Sequence, residues 1–343
     1  MESKYEKLRK FVIDNSYSMD EYKLILNSIF RKRIWKFEEI EDIAPDLKKK
    51  IVKEFWNNVC NVIPIYEKKY GKANKVIYQI DAWERIEAIN LSFREDWEDF
   101  CISSQCWCNF WCDFCSTWKM WLKRNLSIDE ITDQILYFYL KWKEINWISF
   151  MWMWEPLANP NIFSAIKDLT NPDLFGVNQD SITISTIWII PNMYKLYDAF
   201  PDINLTFSLH SPFTDQRTKL MPINAIYPLY DVIKALDDYI KLTGKEVYLA
   251  YTLLNWINDS KEHAEGIFDL LQKHSSVDLS FYHVDLISYN SSSENTSVYN
   301  QCNEQVIDTF IWILNFKWIS TSVRNQFWTE IGAGCWQLYN AVK

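Results

Sequence analysis

The sequence predicts an α/β fold: an incomplete (β/α)6 barrel of the TIM type behind a small, mainly helical N-terminal domain. Near-continuous apolar, β-branched runs recur between residues 100 and 287 with amphipathic helical stretches between them, the pattern of parallel strands covered on both faces. Only six such units occur, too few for an eight-fold barrel. Residues 1–85 lack that alternation and read as helices running into one short strand segment, "KVIYQI".

The strand candidates follow in order as "FCISS" (100–104), "WISFMW" (147–152), "ITISTI" (182–187), "INLTFSLH" (203–210), "EVYLAYTLL" (246–254) and "SFYHVDLI" (280–287). The clearest helix between them is "SIDEITDQILYFYLKWKEI". It opens with a capping box, Ser127 with Glu130, and places Ile128, Ile131 and Ile135 on one face. "NSSSENTS" at 290–297 is a polar loop, and no internal repeat occurs. The expected division is an accessory RNA-binding domain at 1–90, the barrel at 91–325 and a C-terminal segment at 326–343. Barrel chemistry belongs at the C-terminal ends of the strands.

Charge is unevenly spread. The chain carries −9 overall, yet residues 1–85 hold 18 Lys and Arg against 14 Asp and Glu. "RKR" at 31–33 and "KKK" at 48–50 are read either as solvated helix faces or as a phosphate-gripping surface beside an acidic body. The charged opening "MESKYEKLRKF" has no apolar signal core, and no apolar run approaches the roughly 18 residues that span a bilayer. A cytoplasmic protein without a membrane partner is expected.

The eight cysteines include Cys108, Cys112 and Cys115, spaced C-x3-C-x2-C directly after the first barrel strand. In a reducing compartment this spacing points to metal or redox chemistry. One reading is structural zinc, with Cys106 as the fourth ligand. The other is a 4Fe–4S cluster held by three cysteines, its fourth iron open to a cofactor, as in radical S-adenosylmethionine (SAM) enzymes. The barrel pattern favours the second reading.

Seven segments then match one family in order: "FCISSQCWCNFWCDFC", "WISFMWMWEPLAN", "ISTIWIIP", "NLTFSLHSP", "KLMPIN", "YHVDLISYN" and "QFWTEIGAGCWQLY". The chain resembles the rRNA adenosine methyltransferases RlmN and Cfr, and "SSQC", "YHV" and "QF" are closer to Cfr. The resemblance implies a cluster on Cys108, Cys112 and Cys115. It implies SAM contacts from Trp154, Glu155, Ser185, Ser208, Leu209, His210 and Asn290, with Glu155 holding the SAM ammonium. Cys335 matches the methylated cysteine, Cys101 its resolving partner and Glu87 the proton acceptor. On the residues alone, Glu155 is more often a helix-start carboxylate, His210 a core histidine and Cys335 a buried thiol, and Glu87 is as readily a solvated strand-edge group.

The implied activity is methylation of carbon 8 of adenosine 2503 of 23S rRNA, at the peptidyl-transferase centre. Two SAM molecules serve each turnover, an electron donor such as flavodoxin or ferredoxin supplies the reductant, and the enzyme is a monomer. The product crowds the site of several ribosome-targeting antibiotics. Carbon-2 methylation of the RlmN type and a non-catalytic RNA-binding relic are the alternatives.

Glycine numbers 6 and tryptophan 18, where ordinary usage would give roughly 24 glycines. The family has glycine at the positions of Trp107, Trp111, Trp118, Trp121, Trp152, Trp154, Trp188, Trp256, Trp328 and Trp336. The expectation is a codon read as glycine in the source and as tryptophan here. Taken literally, Trp154 would fill the space of the SAM methionine.

Overall fold

The computed structural model describes residues 1–106, 108, 110–115, 124–151, 155–187, 189–290 and 299–324. Three helices come first: α1 (Lys4–Asp14), α2 (Met19–Phe30) and α3 (Pro45–Glu54). Ser3 and Ser18 cap the first two through their side chains, and Pro45 starts the third, each satisfying or omitting an orphan N–H. Their apolar faces (Leu8, Val12, Ile25, Ile29, Leu47, Ile51) form a core of their own, which also takes in Leu136 and Leu140.

A three-stranded meander follows: β1 (Ile63–Tyr70), β2 (Ala73–Asp81) and β3 (Glu84–Arg94). β3 pairs antiparallel with β4 (Trp97–Cys101), so the meander continues directly into the barrel sheet. The sequence reading saw only one strand here, "KVIYQI", which lies inside β2. The reason is composition: β1, "IPIYEKKY", is largely exposed and carries charge where a buried strand would be apolar.

The short strands β5 (Gln105–Cys106) and β6 (Arg124–Asn125) form a separate pair. Then α4 (Ile128–Leu140), β7 (Trp147–Phe150), α5 (Ile162–Thr170), β8 (Ile182–Thr186), α6 (Ile190–Ala199), β9 (Asn204–Ser208), α7 (Thr214–Leu220), α8 (Leu229–Thr243), β10 (Val247–Leu253), α9 (Lys261–His274), β11 (Tyr282–Ser288), α10 (Glu304–Phe316) and β12 (Ser320–Val323) complete the described chain. β4, β7, β8, β9, β10, β11 and β12 pair parallel in that order. The six expected strands are all present, and the seventh, β12, was not foreseen because "STSV" is short, polar and mostly exposed.

The capping box expected at α4 is formed, and Arg124 clasps Glu130 through two bonds of 2.7 Å. Ile128, Ile131 and Ile135 are buried in the main core. Buried Lys4 ties the N-terminal helices to the same helix through Asp133, and also donates to the Val59 carbonyl just before β1. Of the basic runs, Lys32 pairs with Asp42, Arg33 with Glu144 and Lys50 with Asp46, while Lys48 donates to the Ile40 carbonyl.

Among the described residues, four tryptophans adopt left-handed backbone: Trp56 (φ 60°), Trp142 (φ 63°), Trp256 (φ 63°) and Trp318 (φ 63°). Three of them stand just past the C-caps of α3, α4 and α10, where helices use glycine to turn away. Gly244 ends α8 in the same conformation (φ 68°). A Cβ disfavours this region. Trp256 was among the positions expected to be glycine; Trp56, Trp142 and Trp318 extend that set. Trp111, the other expected position among the described residues, is exposed.

Candidate active site

β4 leads into the cysteine loop, and its exit is fixed by side chains from three elements. Gln134 of α4 exchanges hydrogen bonds with Ser103 in both directions, 2.9 Å each. The Asn159 amide donates to the carbonyls of Ser104 and Leu126. The Ser103 hydroxyl donates to the Glu87 carbonyl at 2.6 Å.

Cys106 then leaves the loop. It is fully buried in the main core, and its thiol reaches the Arg85 carbonyl. Cys112, Phe114 and Cys115 instead pack with Leu220, Met221, Leu254 and Tyr289 at the strand C-termini. This removes Cys106 as a fourth zinc ligand: alternation along β5 turns its side chain inward, away from that group.

The loop is pinned on several sides. The Phe110 N–H donates to Cys108 Sγ at 3.3 Å and the Asp113 N–H to the Leu220 carbonyl at 2.9 Å. Tyr299 bonds the Asp113 carboxylate, and Tyr289 donates to the Phe114 carbonyl. Phe114 stands edge-on to His210, ring centres 5.0 Å apart. Burial, with the neighbouring Cys115 and Cys108, holds the Cys112 thiol well above its ordinary range.

These residues fit an iron–sulfur cluster. Thiols that raise one another's pKa become stable thiolates when bound cations offset their repulsion. Among the described residues no three His, Cys, Asp or Glu side chains converge on a single ion. A cluster distributes three thiolates over three irons, one to each.

Glu155 is buried and caps the short 3-10 helix Pro156–Ala158, so the helix-start reading is realised. Its Oε1 accepts from Thr186 Oγ1 (2.5 Å) and the Leu157 N–H (3.2 Å), and Oε2 from the Ile187 N–H (2.7 Å). Burial pushes its carboxyl up to about 7 against those bonds. A carboxylate offers about four acceptor sites, so three donors leave room for a cation. That suits the amino group of SAM.

Ser208 ends β9, Ser185 is the last residue but one of β8, and Leu209, His210 and Asn290 follow strand ends, all buried but the partly exposed Ser185. His210 takes left-handed backbone (φ 53°), and its Nδ1 accepts the Thr252 N–H at 2.9 Å. Burial, then Arg217 and Arg324, lower its pKa to about 3, leaving neutral imidazole. Arg217 was missed by sequence reading. Fully buried, it donates to the Leu209 carbonyl (3.0 Å), the Ser208 carbonyl (2.9 Å) and Asn224 Oδ1 (2.7 Å), fixing the β9 exit. No local signal marks it, because its partners lie on a strand end seven to nine residues away in sequence and on the next turn.

Glu87 corrects the solvated-edge reading. It is 2% exposed and pairs at 3.0 Å with Lys75, equally buried. In the register Lys75 faces Ile89, which faces Cys101 across β3 and β4, and strand alternation puts Glu87 on that same face. Glu87 and Cys101 are thus close neighbours on the concave side. The seven described cysteines are unbridged. Trp154 and Cys335 lie outside the described residues, so the expected Cys101–Cys335 disulfide has no geometry here. Among the described residues no helix is long and apolar enough to cross a membrane.

Residues 102–271 match the radical SAM superfamily model. The chain is 46% identical to the ribosomal RNA large subunit methyltransferase Cfr of Clostridium botulinum (strain Loch Maree / Type A3), over 98% of this chain and 97% of that one. It is 42% identical to the protein of that name from Staphylococcus aureus, over 98% and 96%. A crystal structure of a radical SAM methyltransferase from Sphaerobacter thermophilus superposes with a TM-score of 0.89 at 25% identity, covering 97% and 96%.

Proposed function

Since the chain belongs to the radical SAM superfamily, and within it to the family of the ribosomal RNA large subunit methyltransferase Cfr, we propose that it methylates carbon 8 of adenosine 2503 of 23S rRNA. The observation that carries this reading is the near-full-length match to Cfr proteins, joined to a cysteine loop docked beside Glu155 on the strand C-termini. The 4Fe–4S cluster and SAM implied by the superfamily would together supply a 5′-deoxyadenosyl radical.

The chain's own residues do the rest. Cys108, Cys112 and Cys115 hold the cluster. Glu155, already fixed by three donors, accepts the SAM ammonium, while the strand-end residues Ser185, Ser208, Leu209, His210 and Asn290 border the same cofactor. Residue 154 sits beside Glu155 in sequence, and glycine there would leave the methionine group its space. Neutral His210 adds no charge near the sulfonium. Cys335 would accept a methyl group from one SAM and carry it to the base, two SAM being consumed per turnover. Glu87 would take the ring proton as one electron returns to the cluster and its donor. The thiolate of Cys101, its neighbour on the concave face, would then attack the Cys335 sulfur, so that the S–S bond forms as the bond from that sulfur to the transferred carbon breaks and the carbon takes a proton to become the product's methyl group. An rRNA substrate puts the reaction in the cytoplasm, with a flavodoxin or ferredoxin as electron donor and a monomer as the working unit. The product would confer resistance to antibiotics of the peptidyl-transferase centre.

The functional chain carries glycine at the tryptophan positions where the family has glycine and at the left-handed tryptophans. Mass spectrometry of host-made protein tests this: glycine masses are expected at 56, 142, 256 and 318, and on the peptide spanning residues 325–343 at 328 and 336, with a methylated Cys335. Nucleoside mass spectrometry of 23S rRNA from cells expressing the chain with those glycines tests the reaction. Carbon-8 product that disappears in C335A supports the proposal. Carbon-2 product alone would assign the RlmN reaction, and no product from cluster-loaded protein would leave the relic.

A further inference from the structure

Two lysines among the described residues are buried, Lys4 and Lys75, and they are used differently. Lys4 joins segments far apart in the chain, with Asp133 and the Val59 carbonyl as partners. Lys75 of β2 pairs at 3.0 Å with Glu87 of β3, and those strands are already joined by their ladder from Ala73–Leu91 to Asp81–Glu84. The ion pair therefore adds no connection that the backbone lacks. Its surroundings do not favour it either: the neighbouring side chains on that face, Ala73, Ile77, Ile89 and Leu91, are apolar and buried. Desolvating two charges there costs as much as their attraction returns, and an apolar pair of similar volume would hold the strands at least as well. Stability gives no reason for the pair, and its place on the face it shares with Cys101 points to chemistry.

We propose that Lys75 is a positioning residue for Glu87: its ammonium fixes the buried carboxyl on the concave face beside Cys101 and keeps it ionised, ready to accept a proton. The inference rests on the methyltransferase reading for the reaction that uses Glu87. In that reaction the ring C–H bond breaks, its electron pair stays in the ring, and its proton bonds a Glu87 oxygen. A carboxyl that already carries a proton cannot take that one. Burial favours the protonated form, as at Glu155, which neutral donors hold and burial pushes up to about 7. An opposite charge in contact acts the other way. The charged and titratable groups on this face are Lys75 on β2, Arg85 on β3 itself, Cys101 and Asp99 on β4, and Lys68 and Tyr66 on β1. Arg85 is half-buried and Lys68 exposed, where water screens their charge. Lys75 is buried and in contact.

The test uses the cluster-loaded chain and two readouts. Infrared difference spectra against E87Q read whether residue 87 carries a proton, and carbon-8 methylation of a 23S rRNA fragment is followed from about pH 6 to pH 9. Wild-type Glu87 should be ionised across that range. In K75M it should be protonated at pH 7, with methylation there down about tenfold or more. That loss should shrink as pH rises and the carboxyl ionises. K75R keeps the charge and should keep Glu87 ionised, without the pH-dependent loss. A purely structural role predicts that K75M loses the same factor at every pH while Glu87 stays ionised, and that result overturns the assignment. So does a protonated Glu87 in the wild type at pH 7, a measurement that needs no lysine variant to fold. Glu87 ionised in the wild type and protonated in K75M, with no methylated adenosine from either, would retain the role of Lys75 and sink the methyltransferase reading instead.

Discussion

Two carboxyls, Glu155 at the strand ends and Asp99 on the concave face, are pushed by burial to the same place, about 7. Their surroundings differ. Glu155 receives three donors from Thr186, Ile187 and Leu157, whereas Asp99 has the Arg324 charge nearby and a buried oxygen with no partner among the described residues. A raised pKa by itself therefore does not distinguish a carboxylate fixed in place for a cation from one left without donors. The count of donors already satisfied does.

The largest effect should come from breaking the strand-end region alone. C112A should abolish bound iron and reductive SAM cleavage, read by iron analysis and product chromatography. Retained iron would mean that the loop is not the cluster site. E155Q keeps the shape and removes the charge. SAM affinity by equilibrium dialysis should fall about tenfold or more, the scale of a charge-assisted bond.

A third test titrates the concave face. Asp99 has an ordinary pKa of 3.8 and a folded value of about 7, so between those values the folded chain holds a proton that the unfolded chain has lost. Stability is then highest below 3.8, falls as pH rises through that window and levels off above 7. Denaturant unfolding of wild type and D99N at pH 5 and pH 8 should show the wild type losing about 2 kcal/mol more than the variant on going to the higher pH. An equal loss in both would remove Asp99 as the source.

The smallest effects concern helix ends, which belong to neither region. Trp312 lies inside α10 and Trp318 just past its end at φ 63°. W312G should destabilise by about 1 kcal/mol through helix propensity, and W318G should stabilise by about the same through relief of left-handed strain. Thermal melts giving the same sign for both would contradict the reading of Trp318 as a glycine position.

Much of this was legible beforehand because it is local. Apolar runs marked six of the seven parallel strands, Ser127 and Glu130 announced the start of α4, and the cysteine spacing marked the loop. The failures share a cause. A solvated edge stayed open for Glu87 because its partner Lys75 lies on the neighbouring strand, and a buried ion pair leaves no trace in either strand's own pattern. Cys106 stayed open as the fourth ligand of a zinc site because spacing along the chain does not say which way a side chain turns. The polar, exposed strands β1 and β12 lack the apolar signature by which strands are found.

The sequence alone determined the alternation of strands and helices, the thiol triplet and the shortage of glycine, since each is written in neighbouring residues. Only the tertiary structure decided that the meander joins the barrel sheet, that Arg217 fixes the β9 exit, that three further tryptophans stand in left-handed turns, and that Asp99 is buried beside a cavity on the sheet. Those facts depend on which distant segments meet when the sheet closes, and burial and pairing are properties of the meeting, not of either segment.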